Sequence, residues 1–251
     1  MSRRDHIPTV SGTRLASYEG MTLPRLGLFP WTAAVAPEMG GEGSRRALNI
    51  LIATLSLVLA LPLMVVIAVL IKLTSPGPVL FAQRRIGLDR RALGNAGGNS
   101  RRHSDYGGLT FTMYKFRTMR VNVEAALEVW AQRDDPRVTV VGRVLRKFRL
   151  DELPQLWNVV VGDMNIVGPR PEQPTIFARL RDQIKEYTRR QRVLPGITGL
   201  AQINRAYDCS VDDVREKLNY DLEYIRHRSP LEDLKIMLLT PAVMLGRRSG
   251  W

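Results

Sequence analysis

The sequence predicts one mainly helical α+β domain attached to a membrane-associated helix. Three observations carry that expectation. Residues 47–71 form a run of 25 uncharged, mostly aliphatic positions, long enough to enter a bilayer. Two short β-prone segments follow it, at 79–82 and 110–116. The rest alternates helical stretches with proline and glycine turns and shows no internal repeat. A chain of 251 residues can bury one sizeable core.

Residues 1–45 read as a basic, disordered arm. Arg3, Arg4, Pro8, Gly12, Arg14, Pro24, Gly27 and Pro30 interrupt any apolar stretch, so no secretory signal is read there. The membrane segment is expected over 46–74. Pro62 lies near its middle, where proline removes an intrahelical hydrogen bond and favours a kink. Both flanks are basic: Arg45 and Arg46 precede it, and Lys72, Arg84, Arg85, Arg90 and Arg91 follow. Positive charge near a helix end favours the cytoplasmic side. A helix that dips in and returns satisfies both flanks, while a straight span satisfies the length alone. These residues leave both arrangements open.

Ser75-Pro76-Gly77-Pro78 must end that helix. The two β-prone segments are placed to pair, and the connection over 89–109, rich in glycine and arginine, is expected to be a mobile basic loop. Helices are expected over 122–132, 140–149, 153–161, 173–191 and 212–228. Pro169-Arg170-Pro171 and Pro195-Gly196-Ile197-Thr198-Gly199 read as rigid turns between them. The apolar stretch 231–245, broken by Pro241, lies along a membrane interface or closes the core.

A formal net charge of +13 suits anionic partners: nucleic acid, acidic headgroups or phosphorylated substrates. A single cysteine, Cys209, excludes an intrachain disulfide and fits a reducing compartment. The three histidines, His6, His103 and His227, have no metal-ligand spacing and no place in a Ser-His-Asp triad. Neither a P-loop nor a dinucleotide fingerprint is present. What remains is carboxylates and arginines, the equipment for handling phosphate with a divalent metal.

The densest such stretch runs from Arg143 through Arg146, Lys147 and Arg149 to Asp151, Glu152 and Pro154. Proline is tolerated in a first helical turn, so both carboxylates are expected at an exposed helix N-terminus. There the macrodipole and the four cations would lower their pKa values. An ionised aspartate can attack phosphorus, and a neighbouring glutamate can hold Mg²⁺ against the departing phosphate. The same residues also fit a capping pair tied to surface arginines.

Five strings resolve that ambiguity. Tyr114-Lys115-Phe116-Arg117-Thr118-Met119, Leu150-Asp151-Glu152-Leu153-Pro154-Gln155-Leu156-Trp157-Asn158-Val159, Gly162-Asp163-Met164, Val167-Gly168-Pro169-Arg170-Pro171-Glu172 and Pro195-Gly196-Ile197-Thr198-Gly199-Leu200-Ala201-Gln202 occur in this order. Together they resemble the bacterial sugar transferases, the monotopic phosphoglycosyl transferases that begin polysaccharide, O-antigen or glycan assembly. The resemblance spans residues 45–245.

It implies that Asp151 is the nucleophile that accepts the phospho-sugar, and that Glu152 binds Mg²⁺. Pro169, Arg170 and Pro171 would form the nucleotide-holding turn. Lys115 and Arg146 would be phosphate-binding cations, Asp221 a polar active-site group, and Arg117 and Gln202 further binding residues. The donor would be a UDP-sugar and the acceptor a polyprenyl (undecaprenyl) phosphate, with UMP released. The fold would be a cytosolic domain over 75–251 on a re-entrant hairpin kinked at Pro62, with interfacial helices against phospholipid at the bacterial inner membrane. Nucleic acid is not an expected partner, and self-association stays open.

Three features depart from the family pattern. Leu61 precedes Pro62 where members often carry serine, the loop 89–109 is longer, and Ile203-Asn204-Arg205-Ala206-Tyr207 replaces a common Gly-Arg pair. The identity of the sugar stays open. The competing reading is a membrane-tethered, non-enzymatic binder of anionic lipid or nucleic acid, suited by the arginine-rich stretch 84–120. The carboxylates clustered beside Pro-Arg-Pro distinguish the two, because a phosphate-backbone binder has no use for them.

Overall fold

The computed structural model describes residues 42–89, 108–120, 135–205 and 211–246. The expected arm up to residue 41, most of the loop expected over 89–109 and the helix expected over 122–132 lie outside the described residues.

The apolar run forms α1, Glu42–Thr74, 33 residues long. It starts before the expected boundary at 46, so Glu42 to Arg45 belong to the helix and not to the arm. Its assignment continues through Pro62 without a break. Its buried residues, Arg45, Asn49, Ala53, Ile67 and Ile71, recur at helical spacing along one stripe. The opposite side is open: Leu51, Leu55, Leu59, Leu61, Val66 and Leu73 are all exposed.

Both ends of α1 are fastened to the same domain. At its start, Arg45 is buried and donates from Nε and Nη2 to the Asp233 carboxylate at 3.0–3.2 Å, and to the Tyr224 hydroxyl at 2.6 Å. Arg46 Nη2 donates to the Val159 and Val160 carbonyls, and Asn49 Oδ1 accepts from the Ile166 amide at 2.7 Å. Further along, Ala53 packs with Met113, Leu156 and Val159. Near the far end, Ile67 and Ile71 pack on Phe116 and Leu145. Arg117 then holds the exit, donating to the Ser75 carbonyl and hydroxyl at 2.7 and 2.9 Å and to the Pro76 carbonyl.

Strands β1 (Leu80–Ile86) and β2 (Thr110–Phe116) pair antiparallel, with Leu80 opposite Phe116 and Ile86 opposite Thr110. The first strand outruns its apolar part, expected to stop at 82. Gln83, Arg84 and Arg85 stay in the ladder because β2 offers a partner at every position. Then come α2 (Val140–Lys147) and α3 (Gln155–Val161), joined by a short 3₁₀ turn at Leu150–Glu152. The Thr139 side chain caps α2 by accepting from the Gly142 amide.

Strand β3 (Asn165–Val167) pairs in parallel with β4 (Gly196–Thr198). The segment expected as a second rigid turn is therefore a strand bracketed by Pro195 and Gly199. It lies so close to the chain at 168 that a Cβ on Gly196 would collide with the Gly168 amide.

The helix expected over 173–191 is interrupted. Helix α4 (Pro174–Gln183) ends at an extended Ile184, and a 3₁₀ segment takes over at Tyr187–Arg192. The break lets Tyr187 pack on Phe177, with ring centroids 5.2 Å apart, and turns Arg190 back towards the chain at 170. Helix α5 (Leu200–Asn204) is short, and α6 (Val211–His227) sets Val214 and Leu218 into the cluster around Phe177. Helix α7 (Pro230–Gly246) continues through Pro241. It buries Asp233 and Ile236 while leaving Leu231, Leu234 and Leu238 exposed, so it closes the core on one side and presents leucines on the other.

Candidate active site

The chain enters the site through a backbone exception. Arg149, which follows α2 and its cap, has φ 51° and ψ 24° and is the one non-glycine residue with positive φ among the described residues. A left-handed conformation costs a residue with a Cβ about 1–2 kcal/mol. It reverses the chain sharply enough for the Arg149 carbonyl to accept from the Glu152 amide at 3.1 Å. Leu150 and Leu153 anchor the reversed turn against the cluster of Ile67, Ile71 and Phe116. Asp151 and Glu152 are held between those two apolar anchors. They thus sit in a 3₁₀ turn ahead of α3, whose N-cap is Pro154, and not in the first turn of α3.

Glu152 is buried, and three cations converge on one of its oxygens. Oε1 lies 2.7 Å from Arg170 Nη2, 3.5 Å from Arg149 Nη1 and 3.8 Å from Lys115 Nζ. Burial alone would raise the carboxyl pKa, but Arg170, Lys115 and Arg149 overturn that and pull it down to about 2. Asp151, partly buried, goes the other way. Burial and the neighbouring Glu152 charge raise its pKa against Lys115, Arg146 and Arg170. The sequence-based expectation that both carboxylates would be lowered is therefore wrong for Asp151. Stripping water from a carboxylate, next to a second carboxylate, outweighs cations that contact mainly the neighbour. The outcome is a fixed anion beside a more basic carboxylate, the separation that distinguishes roles within a pair.

Lys115, Arg146 and Arg170 surround the pair with positive charge. Burial lowers the Lys115 ammonium to about 8 despite Glu152. Arg146 is oriented by its Nε donating to Thr118 Oγ1 at 2.9 Å. Arg170 is set by the end of β3: the Pro169 carbonyl accepts from the Gly196 amide at 2.9 Å, and the Pro171 carbonyl accepts from Arg85 Nη1 at 3.1 Å. A guanidinium on so rigid a turn can grip phosphate in a fixed direction.

Among the described residues no cluster of three or more His, Cys, Asp or Glu side chains forms a metal cage. Magnesium is commonly held by one or two carboxylates together with substrate phosphates. The donor set fits that mode: the Asp151 and Glu152 carboxylates are neighbours in one 3₁₀ turn, beside cations that can hold substrate phosphates.

Of the residues expected at the site, Asp151, Glu152, Lys115, Arg146, Pro169, Arg170 and Pro171 come together. Arg117 does not bind there: its guanidinium is spent on Ser75 and Pro76 at the exit of α1, because a helix ending in two prolines leaves carbonyls that need a donor. Gln202 donates to the Ile197 carbonyl at 2.8 Å and holds the turn from β4 into α5. Asp221 is buried behind the Pro-Arg-Pro turn, 2.8 Å from Arg190. Two participants are legible in the sequence only in part or not at all. Arg149 reads only as one of four cations near the pair, since nothing in that run of basic residues marks the one that is left-handed. Arg190 sits in Arg189-Arg190-Gln191-Arg192, where only burial separates it from its neighbours.

The site is a carboxylate pair ringed by arginines and a lysine on an α+β fold, and comparison with known proteins gives its family. The family model for bacterial sugar transferases matches residues 41–247, so the chain belongs to that family. It is 42% identical over 201 residues to a UDP-N-acetylgalactosamine-undecaprenyl-phosphate N-acetylgalactosaminephosphotransferase of Aeromonas hydrophila, covering 80% of this chain and 43% of the relative. It is 41% identical over 198 residues to the UDP-glucose:undecaprenyl-phosphate glucose-1-phosphate transferase of Escherichia coli K12, covering 78% and 39%. The exopolysaccharide production protein ExoY of Sinorhizobium fredii is 39% identical over 234 residues, covering 87% and 92%. The matched region thus spans about two fifths of the first two relatives and nearly all of the third.

Proposed function

We propose that this protein transfers a sugar 1-phosphate from a UDP-sugar to undecaprenyl phosphate, by double displacement through Asp151. The observation that carries the reading is the unequal carboxylate pair under a cradle of cations, in a chain of this family whose relatives are named for that transfer. In the first step an Asp151 oxygen attacks the phosphorus that bears the sugar. The bond from that phosphorus to the bridging oxygen breaks, and UMP leaves with the electron pair. In the second step an oxygen of the polyprenyl phosphate attacks the same phosphorus and releases the Asp151 carboxylate. Each step replaces one phosphorus–oxygen bond by another, so no oxidant or further reactant is needed.

Within that scheme Arg170 and Lys115 bind the donor's diphosphate, and Arg146 and Arg149 neutralise the charge that gathers near Asp151. Glu152 keeps Arg170 aimed. It would also hold Mg²⁺ together with the diphosphate, and the ion would supply charge neutralisation on the departing phosphate. The raised pKa of Asp151 makes it the better nucleophile of the pair once ionised.

The same reading proposes a monotopic arrangement at the inner membrane, with α1 entering the cytosolic leaflet and returning at Pro62. Both ends of α1 are fastened to one domain, both flanks are basic, and the residues between present leucine and valine outward. A membrane crossing would carry one end some 30 Å away from that domain. The exposed leucines of α7 would rest against phospholipid beside it.

Incubating protein-containing membranes that hold undecaprenyl phosphate with a panel of UDP-sugars tests the reading. One donor should release UMP and give a lipid-linked diphosphate sugar. Absence of UMP from every donor, with the folded protein inserted, would turn the assignment towards a membrane-tethered binder.

A further inference from the structure

Arg170 is held at its guanidinium by Glu152, yet the turn around it needs support from behind. Prolines restrict φ on both sides but donate no hydrogen bond. The missing donor comes from the 3₁₀ segment. Arg190 Nη2 donates to the Arg170 carbonyl at 3.1 Å, gripping the backbone of the residue that carries the working side chain.

That guanidinium is buried and tied on every side. Nη2 also lies 2.8 Å from Asp221 Oδ2 on α6. Nη1 bonds the Tyr187 hydroxyl and stands 3.4 Å from Glu172 Oε1, the residue that follows the turn. Its carbon sits 5.0 Å from the centre of the Tyr187 ring. A buried arginine without counter-charges is expensive, and two carboxylates meet that need here. Arg190 therefore joins α6, the 3₁₀ segment, the middle of the Pro-Arg-Pro turn and the residue after it through a single side chain.

We propose that Arg190 is a positioning residue for the Pro-Arg-Pro turn, with Asp221 and Glu172 as its counter-ions, and that it presents Arg170 to the donor's diphosphate. The inference rests on the reading of Arg170 as a diphosphate ligand. It reassigns Asp221 from the substrate to this support. Lysine cannot replace Arg190, because one ammonium on a flexible stem cannot reach a carbonyl, a hydroxyl and two carboxylates in the plane of a fork.

A double-mutant cycle tests it, using the full chain in detergent. The variants are Arg190→Lys, Asp221→Asn and the milder Glu172→Gln, each in the wild-type and the Arg170→Ala background. The readouts are UDP affinity by calorimetry, kcat/KM for UMP release and the thermal midpoint. Arg190→Lys and Asp221→Asn should each weaken kcat/KM on the order of 10²-fold in the wild-type background, the scale of a misplacement near 1 Å. Glu172→Gln should cost less. In the Arg170→Ala background the same changes should add under about threefold, because sites that act through one another are not additive. Equal penalties in both backgrounds, following the thermal midpoint, would make Arg190 a structural residue only and overturn the inference. So would wild-type kcat/KM in Arg190→Lys. If wild type neither binds UDP nor releases UMP, the transfer reading itself falls, and the inference falls with it. Wild-type turnover with an additive cycle removes the inference alone.

Discussion

Glu152 is the residue on which the local charge balance turns. Its folded pKa of about 2 lies below its ordinary 4.5. A depressed acid stabilises the fold while ionised, so its contribution is whole above about pH 4.5 and is lost as pH falls towards 2. Glu152→Gln should lower the thermal midpoint at neutral pH, and its gap to wild type should narrow steadily from pH 4.5 downward. A gap constant over that range would mean that Arg170, Lys115 and Arg149 do not stabilise through Glu152. Lys115 has the opposite sign: its folded value of about 8 lies below 10.5, so its charged form strains the fold. Stability should rise with pH between 8 and 10.5 in wild type, and that rise should shrink in Lys115→Met. Both thermal series read the folded protein directly and need no substrate. Neither residue's environment could be read from spacing. Lys115 is a cation in a strand pattern, and its surroundings exist only once Glu152 and Arg170 are brought beside it.

At the scale of elements, α1 is the decisive one. Its length and basic flanks were legible in the sequence because both are local properties. The polar ties were not. Arg45 looks like any flanking cation until Asp233, 188 residues away, turns out to meet it in the core. Removing one member of a buried ion pair strands the other, so Arg45→Met should destabilise by about 3–5 kcal/mol. Thermal or denaturant unfolding of the variant checks this, and replacing Asp233 by Asn in the same chain should recover part of the loss. Topology has its own test. In a background with Cys209→Ser, cysteines placed at the exposed positions Gly43 and Lys72 should both be labelled from the cytosolic side alone. Periplasmic labelling of either would contradict the re-entrant arrangement. Pro62→Leu should shift part of the population to a true span, since a leucine restores the hydrogen bond that proline removes. The interrupted helix at Ile184 was equally hidden, because apolar spacing alone continues from Phe177 through Tyr187. The break is at an extended Ile184, and its result, Arg190 turned back onto the Arg170 carbonyl, depends on contacts between distant elements.

For the molecule as a whole, the carboxylate pair and its cations all lie within the described residues. Three clusters meet around the site: one seats Ile67 and Ile71 of α1, one seats Ala53, and one centres on Phe177. Every residue assigned to the chemistry lies between Lys115 and Arg170, and the support proposed for the turn ends at Asp221. Deleting residues 2–40 should therefore leave most of the specific activity of correctly inserted protein. A loss on the order of 10²-fold, the size expected when the catalytic geometry itself is disturbed, would show that the arm helps build the site. The order of motifs along the chain made the family legible, since each string keeps its residues within a few positions. The support behind them stayed invisible because it is made by single side chains crossing between distant elements.

The account as a whole depends on Asp151 and Glu152 failing in different ways. Asp151→Asn keeps the size of the side chain but replaces the attacking carboxylate by an amide that is not a nucleophile. Glu152→Gln keeps the nucleophile and removes an electrostatic stabiliser, a loss of roughly 10²–10³-fold in rate. Intact mass spectrometry of the detergent-solubilised protein, after a pulse of UDP-sugar without acceptor, reads the covalent step itself. Wild type should gain the mass of one phospho-sugar, mapped to Asp151; Glu152→Gln should gain it slowly, and faster as Mg²⁺ is raised; Asp151→Asn should gain none. An adduct on Asp151→Asn, or one that maps to any other residue of the wild-type chain, would contradict the mechanism.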